Sequence, residues 1–188
     1  MSALSVHASD YTAIYVQGDD AKSYLQGQLT QDLNEITEGV WRWAGHCSAK
    51  GKLWACMRVC QFKHGYALLC AKTEAEFALA ELKKYAVFSK VEITELTHPV
   101  LGLLAEDDAV ATHFNVALKH LVSEFDEQLL IKLASGRFLY VGEQFPADAV
   151  QQDDAFQLSQ IKAAEPSLNR GAINEYVPQM VNLQALHG

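Results

Sequence analysis

The stretch WRWAGHCSAKGKLWACMRVC, residues 41–60, constrains this chain more than any other part of it. Residues 40–47 and 53–62 are rich in aromatic and apolar side chains that favour strands. Residues 48–52 between them are polar, and Gly51 can adopt a positive φ angle. This pattern predicts a β-hairpin with a loop of about three to five residues.

The predicted hairpin loop carries Lys50 and Lys52, on a chain whose net charge is −8. Two ammonium groups at a hairpin tip suit an anionic ligand, and a solvated turn is the alternative interpretation. An acidic chain does not coat nucleic acid, because non-specific binding depends on Lys and Arg displacing counterions from phosphate. We therefore expect no direct contact with nucleic acid.

The sequence carries no sign of a membrane or of export. No apolar run approaches the roughly 20 residues that a membrane-spanning helix needs, and residues 1–9 lack the segments of a secretion signal. We expect a cytoplasmic protein without membrane contact. The cysteines lack C-x-x-C spacing, and we interpret them as buried side chains that bind no metal: Cys47, Cys56, Cys60 and Cys70.

Strand and helix patterns alternate along the chain, which predicts an α+β fold. Residues 66–142 are expected to run β-α-β-β-α-β-β, which contains the split βαβ pattern of a ferredoxin-like layer. Within that segment Thr73 and Glu76 have the spacing of a helix capping box. Two layers are expected. Residues 1–65 together with 150–188 would surround the 41–62 hairpin, and residues 66–149 would form the ferredoxin-like layer.

Common catalytic motifs are absent from the sequence, which has no phosphate-binding G-x-x-x-x-G-K-[ST] loop and no G-x-S-x-G turn. The paired aspartates precede predicted helices, where capping is the simpler interpretation. Glu165 and Glu175 lie in an irregular tail near prolines, and such loops often carry binding groups. Aromatic residues on the predicted strands suit a pocket for a flat ligand, although each alone is more often part of a core.

Four stretches together resemble one protein family. They are YLQGQLTQD (residues 24–32), AKGKLW (49–54), ELKKYAVFSKV (81–91) and EYVPQMVNLQALHG (175–188). Each is a weak signal alone, but the combination resembles the bacterial YgfZ-type folate-binding proteins, known as tRNA-modifying proteins. These are relatives of the aminomethyltransferase, or T-protein, of the glycine cleavage system. The resemblance covers nearly the whole chain.

The resemblance implies an aminomethyltransferase folate-binding-type fold and a protein that binds tetrahydrofolate or a derivative. It implies an accessory role in iron–sulfur enzyme maintenance and tRNA modification, with iron–sulfur enzymes or assembly proteins as indirect partners. Two alternatives stay open. One is a folate-dependent aminomethyl or one-carbon transferase, and the other is an interaction domain that has lost its ligand.

The resemblance also implies candidate folate contacts on the strands, the hairpin loop and the tail. These are Tyr11, Tyr15, Gln28, Lys50, Lys52, Trp54, Tyr140, Glu165 and Gln179. Lys50 and Lys52 would meet the anionic glutamate tail of folate. Tyr140 would form part of the pocket wall.

Some positions depart from the family pattern. Trp54 and Ala55 occupy the place of the T-protein carboxylate pair, so no catalytic residue is expected there. Lys162 stands where relatives use a glutamate to hold the pterin, which leaves Glu165 or Glu175 as its substitute. The family's K-G-C-Y-x-G-Q-E signature and its C-terminal barrel would follow Gly188. Without them, exposed apolar surface is expected to favour a dimer.

Overall fold

The computed structural model describes residues 4–143, 145–146, 149–151, 153–186 and 188. Its strands are β1 (Ser5–Ala8), β2 (Tyr11–Gln17), β3 (Trp41–Cys47), β4 (Leu53–Phe62), β5 (Gly65–Ala71), β6 (Glu92–Glu95), β7 (Val100–Leu104), β8 (Val122–Phe125), β9 (Gln128–Ala134), β10 (Arg137–Val141) and β11 (Val150–Gln151). Its α-helices are α1 (Ala21–Gln26), α2 (Lys72–Tyr85), α3 (Asp107–Phe114) and α4 (Ala155–Lys162). Two short 3-10 helices follow, at Pro178–Val181 and Leu183–Leu186.

The chain divides into two compact units. The hairpin unit comprises Tyr11–Leu96 and Pro166–Gly188, and the second unit comprises Met1–Asp10 and Thr97–Glu165. Each unit has one sheet, so the α+β class with two sheets is confirmed. None of the described helices has the length and apolar character needed to cross a membrane.

The hairpin unit contains a five-stranded antiparallel sheet with the order β3-β4-β5-β2-β6. Strands β3 and β4 form the predicted hairpin, in register from Trp41 opposite Cys60 to Cys47 opposite Leu53. Gly51 in the connecting loop has φ +71°, so this glycine adopts the positive φ angle that the loop prediction used. One face of the sheet packs on α1 and α2, where the Tyr24 hydroxyl donates to the carbonyl of Leu82 at 2.5 Å.

The second unit contains a six-stranded sheet with the order β11-β1-β7-β10-β9-β8. Strand β7 lies between β1 and β10, and Gly102 is opposite both His7 and Leu139. Phe156 of α4 packs directly over Gly102 and is 1% exposed. Glycine is required there because a β-carbon would overlap the Phe156 ring.

The strands predicted for residues 66–142 are divided between the two sheets. Strand β5 pairs with both β4 and β2, and β6 pairs with β2, so these strands belong to the hairpin unit. Strands β7 to β10 belong to the second unit. The sequence pattern identifies strands, but their partners depend on long-range pairing that no local pattern encodes.

The predicted capping box at Thr73 and Glu76 is wrong, because α2 begins at Lys72 and its N-cap, Ala71, makes no side-chain capping bond. The Thr73 hydroxyl instead donates to the carbonyl of Leu168 at 3.2 Å. Glu76 accepts a hydrogen bond from the Arg170 guanidinium at 2.6 Å. Both side chains therefore hold the C-terminal segment of the hairpin unit rather than their own helix.

All four cysteines are free thiols, and all lie on β3, β4 or β5. Cys56, Cys60 and Cys70 are buried, and Cys47 is half-buried. Burial raises the pKa values of the Cys56 and Cys70 thiols well above that of an ordinary cysteine, so both stay protonated.

Candidate functional site

The 24–32 stretch contacts the hairpin through backbone and side-chain hydrogen bonds. The amide of Thr30 donates to the carbonyl of Gly45 at 2.9 Å, and the amide of Gly45 donates to the Thr30 hydroxyl at 2.8 Å. Leu29 forms an isolated antiparallel bridge with His46. The chain after α1 is therefore fixed along β3.

The C-terminal stretch reaches the same end of the hairpin. The amide of Leu53 donates to the carbonyl of Tyr176 at 2.8 Å, and the amide of Asn174 donates to the carbonyl of Leu53 at 2.7 Å. A β-carbon on Gly45 would lie 2.9 Å from the Leu53 side chain and 3.1 Å from that of Leu183. Gly45 thus permits the close packing through which residues 24–32, the hairpin and the C-terminal stretch meet.

The two lysines of the hairpin loop differ in their environments. Lys50 is exposed, whereas Lys52 is half-buried and its ammonium donates to the backbone carbonyl of Glu175 at 2.7 Å. An ammonium has three donors, so this bond leaves Lys52 able to bind an anion as well. The Glu175 side chain itself is exposed.

Trp54 and His46 contact each other on neighbouring strands of the hairpin. Their rings meet edge to face, with centroids 4.8 Å apart. His46 is fully buried, and among the described residues neither ring nitrogen has a hydrogen-bond partner. Burial lowers the His46 pKa to about 4, so the ring is neutral at physiological pH. The sequence analysis did not select His46.

Four further candidates belong to the hairpin unit. Tyr11 and Tyr15 are buried on β2, where the Tyr15 ring lies 5.8 Å from that of Phe62. Gln28 is half-buried just after α1, and Gln179 is exposed in the first 3-10 helix. Lys50, Lys52 and Trp54 are the candidates that the hairpin itself brings together.

Tyr140 and Glu165 belong to the second unit. The Tyr140 hydroxyl donates to Gln128 Oε1 at 2.5 Å, and the side chain is 3% exposed. Glu165 accepts a hydrogen bond from the Arg137 guanidinium at 2.7 Å, with both side chains largely buried. In this arrangement Glu165 neutralises Arg137, which itself also donates to the Ser159 hydroxyl at 3.1 Å.

Glu74, in the first turn of α2, is a buried carboxyl that the sequence analysis did not identify as special. It is fully buried, and burial raises its pKa to about 7. The backbone amides of Leu168, Cys56 and Ala71 and the charge of Arg58 oppose that rise. The sequence around Glu74 does not indicate burial, because glutamates in the first turn of a helix are ordinarily solvated.

No group of three or more His, Cys, Asp or Glu side chains within the described ranges is arranged to hold a metal ion.

The sequence comparisons found close relatives, although no family model matches the chain. The chain is 38% identical to the tRNA-modifying protein YgfZ of Vibrio vulnificus strain YJ016, over 93% of this chain and 57% of that protein. It is 34% identical to the protein of the same name from Escherichia coli O157:H7, over 95% of this chain and 60% of that protein. The chain therefore spans less than two thirds of the length of these relatives.

The structural comparison supports the fold. The glycine cleavage system aminomethyltransferase T from Bartonella henselae matches with a TM-score of 0.76 at 16% identity, covering 94% of this chain and 55% of that one. At this identity the match concerns the fold alone, and it confirms the expected aminomethyltransferase-type fold. Neither sheet closes into a barrel among the described residues.

Proposed function

Because this chain is a homologue of the YgfZ-type tRNA-modifying proteins over most of its length, we propose that it binds tetrahydrofolate or a derivative and serves tRNA modification without catalysing a reaction itself. One observation carries the proposal. Three of the stretches that carry the resemblance, residues 24–32, 49–54 and 175–188, meet around the β3–β4 loop of the hairpin unit. Residues far apart in sequence thus form one surface.

The chemistry of that surface suits folate. The glutamate tail of folate is anionic, and Lys50 and Lys52 supply the positive charge at the loop. The pterin is a flat polar ring, and beside the loop Trp54 offers a half-buried aromatic side chain on which it could stack. Tyr11, Tyr15, Gln28 and Gln179 of the hairpin unit stay predicted contacts of this ligand, and the folate contacts of Tyr140 and Glu165 stay predictions from the resemblance.

The accessory role concerns iron–sulfur enzymes, including those that modify tRNA. In this proposal the folate-loaded protein acts in the cytoplasm on such enzymes or on their assembly proteins, and it contacts neither nucleic acid nor membranes. The net charge of −8 agrees with the proposed absence of contact with nucleic acid. Dimerisation is a further part of the proposal, and sedimentation of the purified chain tests it.

Calorimetry with tetrahydrofolate tests the binding. We expect micromolar affinity for the chain, and we expect Lys50→Ala/Lys52→Ala to weaken it about tenfold, since each lost ion pair at an exposed site is worth roughly 0.2–1 kcal/mol. Lys83→Ala/Lys84→Ala removes the same charge from the end of α2 and is expected to leave the affinity unchanged. Absence of binding by the parent chain would refute the folate proposal. Equal weakening by both double variants would remove the loop from the site.

A one-carbon transferase is the competing function. Trp54 is half-buried and Ala55 is buried, and neither side chain can donate or accept a proton for a transfer reaction. We therefore expect no transfer above background when the chain is incubated with an aminomethyl donor and tetrahydrofolate. Turnover that survives Lys50→Ala/Lys52→Ala at reduced affinity would support the transferase instead.

A further inference from the structure

Glu74 occupies the point where the β4–β5 ladder ends. The last paired residues are Arg58 and Leu69, and after Ala71 the chain leaves the sheet to begin α2. The Glu74 carboxylate lies there, fully buried, close to the backbone amides of Cys56 and Ala71. It thus lies beyond the last residue pair that joins β4 and β5.

The same carboxylate binds the C-terminal segment. Glu74 Oε1 accepts a hydrogen bond from the amide of Leu168, which is buried among Trp43, Leu53 and Cys56. On either side of this bond, Thr73 donates to the Leu168 carbonyl and Glu76 pairs with Arg170. Leu168 is therefore held through both its amide and its carbonyl.

This attachment is continuous with the hairpin loop. Six residues after Leu168, the backbone of 174–176 bonds to both backbone groups of Leu53 and to the Lys52 ammonium. Ile173 is buried in the same apolar cluster as Leu168. A segment that is fixed at Leu168 has little freedom to leave the loop at residues 174–176.

We propose that Glu74 is a positioning residue, which docks the segment 168–176 on the hairpin unit and so completes the surface around the β3–β4 loop. Burying a carboxyl group is costly unless it is hydrogen-bonded, and here Glu74 Oε1 gains a hydrogen bond from the Leu168 amide of the docked segment. The effect on folate rests on the proposed function, whereas the docking of the segment does not.

Hydrogen exchange and calorimetry on the whole chain test the proposal together. In Glu74→Ala the amides of Leu168 and Asn174 are expected to exchange at least tenfold faster, with Val59 and Leu68 in the sheet unchanged. Tetrahydrofolate binding is expected to weaken about tenfold. Glu74→Gln keeps an oxygen acceptor for the Leu168 amide and is expected to restore most of both properties.

Glu81→Ala serves as the matched control, because Glu81 lies on the same helix and its ion pair is made with Lys84 of that helix rather than with the C-terminal segment. We expect less than a twofold change in exchange and affinity. Unchanged exchange at Leu168 in Glu74→Ala would overturn the proposal, and so would faster exchange with full folate affinity.

A second variant covers the case in which Glu74→Ala does not fold. Thr73→Val removes only the hydroxyl bond to the Leu168 carbonyl and is expected to accelerate exchange at Asn174 several-fold. Unchanged exchange there would contradict the docking. If the parent chain does not bind tetrahydrofolate, the proposed function fails while the exchange measurements still decide the docking.

Discussion

Replacing Gly102 with alanine is expected to lower the free energy of unfolding of the second unit by about 2–3 kcal/mol. A β-carbon at this position would lie 2.3 Å from the Phe156 ring. The backbone cannot retreat, because β7 is bonded on one side to β1 and on the other to β10. Phe156 is 1% exposed and has no solvent side to move into.

Calorimetric unfolding of the variants measures this effect. The double variant Gly102→Ala/Phe156→Leu is expected to lose less than the sum of its two single changes, since the smaller side chain leaves room for the new methyl group. Strict additivity of the two changes, or a neutral Gly102→Ala, would show that the contact between this strand and α4 is looser than the structure indicates.

The stability of the hairpin unit is expected to change little between about pH 5 and 6.5, because two buried groups act with opposite signs. The Glu74 pKa is raised from 4.5 to about 7, so the folded chain keeps a proton that the unfolded chain has lost. The contribution of Glu74 therefore makes the free energy of unfolding fall as the pH rises through this window.

His46 contributes the opposite slope. Its pKa is lowered from 6.5 to about 4, so only the unfolded chain binds a proton on this side chain in the same window. The contribution of His46 makes the free energy of unfolding rise with pH. Each contribution amounts to about 3 kcal/mol at most, at roughly 1.4 kcal/mol per pKa unit.

Two single variants separate these contributions. In Glu74→Gln the free energy of unfolding is expected to rise from pH 5 to 6.5, and in His46→Asn it is expected to fall. Urea titrations followed by tryptophan fluorescence report on this unit specifically, because Trp41, Trp43 and Trp54 all belong to it. A flat profile that survives in both variants would mean that neither group is titrated in this range.

The hairpin was predictable because its signals are local. Strand-favouring residues on both sides of Gly51 are sufficient to define β3, β4 and the loop. The actual contacts of Thr73 and Glu76 were not predictable, because their partners lie 95 and 94 residues away in the sequence. Strand β1 is likewise defined by its partners β7 and β11.

The candidate site also contains both residues that the sequence identifies and residues that only the folded structure identifies. Lys50 and Lys52 were selected because they lie in the loop of a hairpin that local sequence predicts, and the resemblance added Trp54. His46 and Glu74 were missed because burial, not residue type, distinguishes them from ordinary polar residues. Burial depends on which segments cover a position, and here those segments come from residues 24–32 and 166–188.

The four free thiols can report when the strands of the hairpin unit separate. Alkylating reagents attack the thiolate, and burial keeps Cys56 and Cys70 both protonated and out of reach. Half-buried Cys47 marks β3 at the sheet edge, Cys56 and Cys60 mark β4, and Cys70 marks β5. The order in which these thiols become labelled therefore records the order in which neighbouring strands open, without any engineered probe.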